Sequence, residues 1–456
     1  MGLKDWLLRQ GGRSSAGAAL TGGYADIQRW EDIYSGGGDW RYTRKGGIQG
    51  GTRRMASLGA AKALCGELAR LCFTEGTAMC YSDKDTESFV NGVLRESRFA
   101  ERFPGFLEKV FALGGGVIKV YWNGGVRVDL VTADCFLPTA WDSRSITGGA
   151  FASRIVSGGR SYILAETQEL DGSALVIRNR LYREDGAAAD MQEILPGLQE
   201  QSRIEGINAP LFVYLSAGGS RRSVLSGECP LLGSSVFAGA EDTLKGIDTV
   251  FDSLSREFVL GRKRIIVPAY AIRGEWDSDG SKKQYFDVND EVFQAMSTSD
   301  AEELKITDNT GELRVDEHVQ ALGELLGLLC MQAGLSEGAL TFKDGTIRTA
   351  AEVVSRNSRT YRTQAYYRRM IGEALGRMAQ NICILGKMAG QLPDNAGENA
   401  SAVFADGAAE DDGTRTDRAV KLYSAGVISR ARALSQIYGI SLEEAQAMER
   451  TDFDGE

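Results

Sequence analysis

Histidine occurs once in this sequence of 456 residues, at His318, and proline only seven times. A histidine-based zinc centre, or a Ser/His or Cys/His nucleophilic dyad, would rest on that single residue, so those chemistries are not expected. The seven cysteines (65, 72, 80, 135, 229, 330 and 383) are odd in number and scattered, with no CxxC pair. They read as buried free thiols of a reducing compartment. No apolar run reaches the roughly eighteen residues of a membrane span. The opening MGLKDWLLRQ has neither a continuous apolar core nor a small-residue cleavage site, so no secretory signal is expected. Excess positive charge is also missing. Lysine and arginine number 52 against 62 acidic residues, a net charge of −10. That is the wrong sign for a protein that coats nucleic acid.

What is present is a foldable chain, 43 % hydrophobic and 25 % charged, long enough for two or three domains. Its 56 glycines cluster early, in GGRSSAG, TGG, SGGG, KGG and QGG between residues 11 and 51, which predicts a loose arm with short helices. Leu58, Ala61, Cys65, Leu68 and Cys72 then step by helical spacing. A second helical stretch is expected over 86–113, broken at Pro104. The period next changes to two. Val117 to Trp122, the turn Asn123-Gly124-Gly125 and Val126 to Val131 predict a hairpin. Further strands are expected at 151–156, 161–168, 174–182 and 211–215. The first half is therefore α+β with antiparallel pairing.

Helical spacing returns at Leu244, Ile247, Phe251, Leu254 and Phe258, and again at Val315, Val319, Leu322, Leu326 and Leu329. These two helices flank a β-rich insert of about fifty residues. A glycine-punctuated loop, 335–347, precedes one very long helix expected over 348–390. A small acidic unit with short helices at 417–424, 429–438 and 442–450 closes the chain.

Several chemical-looking motifs fail on inspection. LGGGVIK (113–119) lies between a helix and a strand and has no GK[ST] or GxGxxG, so it reads as a tight turn. EWDSDG (275–280) imitates a calcium loop, but its twelfth position is Phe286, not a glutamate, and a hairpin turn fits better. His318 lies in the first turn of a helix and reads as solvated or capped. A metal-dependent carboxylate hydrolase or nuclease built on Asp406, Glu410 and Asp412 is the enzymatic alternative. One charge pattern stands out. On the long helix Arg348, Arg356, Arg359, Arg362, Arg369 and Arg377 fall within an arc of about 140°, giving a basic stripe inside an acidic chain. It is expected to be solvated or to meet a neighbouring subunit's acidic face, with DNA phosphate as the alternative partner.

Residues 103–108 (FPGFLE), 112–122 (ALGGGVIKVYW), 131–138 (VTADCFLP), 233–240 (GSSVFAGA), 247–252 (IDTVFD), 338–342 (GALTF), 349–353 (TAAEV) and 423–429 (YSAGVIS) occur in that order. Together they resemble portal proteins of tailed bacteriophages of the siphophage type with Gram-positive hosts. The glycine-rich first fifty residues match nothing in that pattern. The resemblance implies an α+β portal fold: an N-terminal arm (1–54), a wing (55–237), stem helix 1 (238–264), a β-containing clip (265–314), stem helix 2 (315–334), a tunnel loop (335–347), a long wing helix (348–395) and a small helical crown (396–456). It implies a non-enzymatic ring, usually of twelve subunits, at one capsid vertex, without cofactor, metal or membrane. Double-stranded DNA would pass through its channel during packaging and ejection. The implied partners are the terminase large subunit, a head–tail connector or adaptor, and the major capsid and scaffolding proteins. The implied location is the virion, and the host cytoplasm during assembly. Thr341, Lys343, Asp344 and Arg348 are then the expected DNA-facing residues. Trp276, Tyr285, Phe286 and Phe293 of the acidic insert form the expected docking surface. Another head-morphogenesis protein sharing parts of this scaffold is the remaining alternative.

Overall fold

The N-terminal arm is less loose than its glycines suggest. In the computed structural model, α1 (Gly17–Tyr34) is one continuous helix. Ile27, Trp30 and Ile33 on one of its faces are buried. Burial of those three side chains outweighs a glycine cost of about 1 kcal/mol per position in a helix interior. The structure describes residues 17–45, 52–73, 77–80, 84–219, 229–260, 312–340, 357–393 and 401–404, with strand pieces within 265–308 and helical pieces within 416–445.

After α1 the chain forms a small antiparallel pair, β1 (Thr43–Lys45) with β2 (Thr52–Arg54). Helix α2 (Ala60–Cys72) follows and buries the predicted stripe of Ala61, Cys65, Leu68 and Cys72. Strand β3 (Thr77–Cys80) leads to α3 (Lys84–Glu96) and α4 (Phe99–Leu113). The expected break at Pro104 lies elsewhere. Arg98 takes a left-handed conformation, with φ 49°, and separates α3 from α4, while Pro104 sits inside α4. Phe99, Phe103, Phe106, Leu107 and Val110 are all buried there, and that packing offsets the one hydrogen bond a proline removes.

Gly114 ends α4 with φ 86°, and β4 (Gly115–Trp122) begins at once. A side chain at Gly115 would place its Cβ 2.0 Å from the Tyr214 hydroxyl, so the glycine run serves close packing, as the turn reading expects. Strand β4 is the centre of a three-stranded antiparallel sheet, between β5 (Val126–Thr132) and β11 (Phe212–Ser216). A five-stranded antiparallel meander joins β6 (Phe136–Trp141), β7 (Ile146–Ser157), β8 (Arg160–Asp171), β9 (Ala174–Arg183) and β10 (Gln201–Glu205). Strands β6 and β10 were not expected from the sequence. The short β10 shows polar–apolar alternation only at Ile204, too brief a signal to separate from a loop.

Side chains of β4 alternate between two cores. Ile118 and Val120 join the main core with α2, α3 and α4. Val117 faces the second sheet, where Phe136, Phe151 and Phe212 pack with ring centroids 5.2 to 5.7 Å apart. Lys119 on the same face is buried and bonds Glu166 of β8 at 2.9 Å, tying the two sheets together.

Helix α5 (Glu241–Leu260) and helix α6 (Val315–Gln332) pack against each other. Between them the described pieces form two short antiparallel pairs, β12 (Ile265–Ile266) with β15 (Thr307–Asp308), and β13 (Arg273–Trp276) with β14 (Lys282–Tyr285). The second pair is the hairpin expected in place of a calcium loop. Helix α7 (Ser358–Met388) crosses β4 and β11, and strand β16 (Ser401–Phe404) pairs with β3. Helix α8 (Arg430–Tyr438) falls within the expected acidic unit. Among the described residues, no helix is long and apolar enough to cross a membrane.

Candidate functional site

Two arrangements of charge stand out, one buried and one exposed. The buried one centres on Asp248 and Asp252, one turn apart on α5, which are 2 % and 6 % exposed. Asp248 Oδ2 accepts from Trp40 Nε1 at 2.9 Å and from Arg41 Nε at 2.8 Å, and its Oδ1 from the Leu58 amide at 3.1 Å. Asp252 accepts from the Ala56 amide at 2.9 Å and from Arg53. Every donor comes from residues 40–58, so the arm and its hairpin are clasped onto the root of α5. Charge-assisted hydrogen bonds of this kind offset the desolvation of buried carboxylates. Beside the clasp lies an open groove of about 940 Å³ whose lining includes Tyr34, Arg54, Lys62, Arg70, Glu108 and Leu340. Burial, together with the Glu108 carboxylate bonded at 2.6 Å, pushes the Tyr34 hydroxyl above its ordinary range.

The clasp was not anticipated as a site. The spacing of Asp248 and Asp252 beside the apolar stripe of Ile247, Phe251 and Leu254 was its one visible signal. A carboxylate repeated every turn next to a buried stripe is half-buried by geometry, and the partner forty residues from the N-terminus is invisible in local sequence.

The exposed arrangement is on α7. Arg359, Arg362, Arg369 and Arg377 are all exposed on one side of the helix. Among the described residues none of these four is in an ion pair; Arg362 Nε donates to the Ser358 carbonyl at 3.3 Å. The first half of α7 is fixed at its root by polar contacts. The Thr360 hydroxyl accepts from the Ser336 amide at 2.9 Å, Thr363 donates to the Gly334 carbonyl at 2.6 Å, and Gln364 donates to the Leu71 carbonyl at 2.6 Å. The stripe therefore holds its direction without being covered.

Of the other expected site residues, Trp276 and Tyr285 lie at the ends of β13 and β14, where Trp276 pairs with Lys282 and Arg273 with Tyr285. Thr341, Lys343, Asp344, Arg348, Arg356, Phe286 and Phe293 lie outside the described residues, as do Asp406, Glu410 and Asp412. No group of three or more potential metal-ligating side chains occurs among the described residues. His318 is capped as expected, with Nδ1 against the Arg314 carbonyl and Nε2 3.1 Å from the Ser253 hydroxyl of α5. Cys65, Cys72, Cys229, Cys330 and Cys383 are buried free thiols and Cys135 is a partly buried one, in keeping with the reading of the cysteines. Burial pushes the Cys72 thiol up to about 12 and the Cys65 thiol well above its usual value.

A family model described as phage portal protein, SPP1 Gp6-like, matches residues 224–452, just over half of the chain. The match takes in α5, the β-containing insert, α6 and α7. A solved chain from the virion of a native gene transfer agent particle is similar at 12 % identity and a TM-score of 0.41, over 91 % of this chain and 99 % of that one. No curated protein matches.

Proposed function

The chain belongs to the SPP1 Gp6-like phage portal proteins, and we propose that it is the subunit of a closed ring, of about twelve copies, at one capsid vertex. Viral DNA passes through the ring's channel during packaging and again at ejection. The observation that carries this reading is the family match spanning two paired helices, their β-containing insert and a long helix with an uncovered basic stripe. The protein works as a structural conduit and does not hydrolyse nucleotide. It assembles in the host cytoplasm and remains in the virion.

In this reading residues 55–237 are the wing, the helices within 238–264 and 315–334 the stem, 265–314 the clip, 335–347 the tunnel loop, 348–395 the long wing helix and 396–456 the crown. The insert 265–314 carries 11 acidic and 5 basic residues. With Trp276, Tyr285, Phe286 and Phe293 it docks the terminase large subunit and, afterwards, the head–tail connector. Major capsid and scaffolding proteins surround the ring. Lys343, with Thr341 and Asp344 near it in the loop and followed by Arg348, gives each subunit one modest cationic contact with a passing phosphate backbone. An acidic average suits a channel through which DNA slides, because a strongly basic bore would hold it.

Electron microscopy of the purified full-length chain tests the proposal. A ring with a central hole is expected. A monodisperse monomer, with no ring in capsids from expressing cells, overturns it.

A further inference from the structure

We infer that the outward face of α6 in one subunit seats on the exposed arginine face of the first half of α7 in the next, an acidic and glycine-notched surface against an Arg/Tyr ridge. The inference rests on the ring reading above and deepens it by naming the contact.

Two helix faces are left open by the fold. On α6, Asp316, Gln320, Gly323, Glu324, Gly327 and Met331 fall within an arc of about 100°, opposite the buried Leu322, Leu326 and Leu329. Glu317 and Leu328 border that arc. Leu328 is 45 % exposed and Met331 48 %. No ion pair engages Asp316, Glu317 or Glu324 among the described residues, so the face and its border carry three negative charges, of which Glu317 also acts on Arg314. At Gly323 and Gly327 an added Cβ would meet nothing within 4 Å. Two helix-weakening glycines thus make a notch that nothing in the described chain fills.

On α7, Arg359, Arg362, Tyr366, Arg369 and Arg377 lie within about 80° of one another, with Glu373 the single acid among them. From Ser358 to Met370 no residue of α7 is buried. Tyr366 is 43 % exposed. Arginine, tyrosine and methionine are the residue types enriched where proteins meet, and arginine and tyrosine lead among those that dominate binding energy. The charges are opposite and equal, −3 on α6 against +3 on α7 (four arginines less Glu373), and this complementarity points to a second copy of this chain as the occupant.

The two faces do not satisfy each other within one chain. The end of α6 and the start of α7 are joined through Ser336 to Thr360 and Gly334 to Thr363, yet no acid of α6 pairs with an arginine of α7 among the described residues. Pairing two different patches between copies is a heterologous contact, the kind that closes into a ring when its rotation closes.

The test uses the purified full chain, with native mass spectrometry and electron microscopy for assembly and thermal unfolding for integrity. Arg362→Glu with Arg369→Glu should lower the ring fraction at least about tenfold while leaving Tm unchanged. Asp316→Arg with Glu324→Arg should do the same. The chain carrying all four reversals should regain rings. Gly327→Leu should keep or raise Tm, since its site is open, and still lose rings. A wild-type ring whose charge-reversed and Gly327→Leu variants assemble equally well overturns this interface and leaves the portal reading standing. Charge-reversed rings that assemble but bind duplex DNA less tightly also overturn it, by assigning the α7 ridge to phosphate. A wild-type chain that stays monomeric overturns both readings.

Discussion

Along α7, eleven residues from Ile371 to Gly386 are buried, whereas none is from Ser358 to Met370. Helix α5 repeats the contrast. Near its start Leu244, Ile247, Asp248 and Asp252 are buried, and near its end Phe258 and Val259 are 52 % and 56 % exposed. Each long helix therefore has a root set in the core and an end with one face that the described residues leave exposed. The roots are apolar or have their buried carboxylates hydrogen-bonded, as an interior requires. The bare ends carry arginine, tyrosine and large apolar side chains, which water alone does not explain as a set. Continuity of the helix lets both coexist. Once the root nucleates, each further residue adds one backbone hydrogen bond at low entropic cost, and one side of the first half of α7 is held by Tyr367 packed on Phe111 and by Thr360, Thr363 and Gln364, so the arginine side stays helical while uncovered.

The contrast predicts where substitutions act. Asp248→Ala should cost the most, about 3–5 kcal/mol, because it leaves the Arg41 guanidinium buried without its carboxylate. Denaturant unfolding reads this directly, and a loss under about 1 kcal/mol would mean that the clasp is not part of the root. Ile382→Ala, at a fully buried position of α7, should cost about 2–5 kcal/mol by the same measurement.

Alkaline titration sharpens the difference with a smaller effect. Burial at the end of α2, in the main core, keeps the Cys72 thiol neutral up to about 12, while the unfolded chain ionises it near its ordinary value of 9.0. Between those values the unfolded state has lost a proton that the folded state still holds, so stability falls as pH rises from 9.0 toward about 12. Below 9.0 this contribution is fully present. Cys72→Ala should make that decline shallower, and an unchanged slope would remove the thiol from the account. Smallest of all, Arg359→Ala and Phe258→Ser at the bare ends should each change stability by less than about 0.5 kcal/mol. A large loss at either position would show that the ends are already packed within one chain.

How much was legible in the sequence differs between root and end. Helices with strict three–four spacing emerged where expected: α2 buries Ala61, Cys65, Leu68 and Cys72, α5 buries Leu244 and Ile247, and α6 buries Leu322, Leu326 and Leu329, while Phe258 and Val319 of the same stripes are exposed. The β4–β5 hairpin and its Asn-Gly turn were equally visible, because alternation over seven residues and a glycine turn leave one register. The arginine stripe was legible too, since helical geometry alone puts Arg359, Arg362, Arg369 and Arg377 on one side. The arm was misjudged at α1, where glycine count argued against a helix that Ile27, Trp30 and Ile33 secure by packing. The Pro104 break was misplaced for the same reason.

What the sequence determined by itself was local: helical and strand periods, the turn at Asn123–Gly125, a single histidine, and the ordered set of short motifs that resemble the portal family. Such features depend on neighbours within a turn or a hairpin, and their energies are decided by nearby residues. Only the tertiary structure decided that Asp248 and Asp252 hold the arm, that Lys119 bridges two sheets to Glu166, and that the faces of α6 and α7 remain open. Those facts depend on contacts between residues dozens to about two hundred positions apart. A carboxylate or an arginine reads the same in sequence whether its partner is water, a distant segment or another subunit, and only folding distinguishes them.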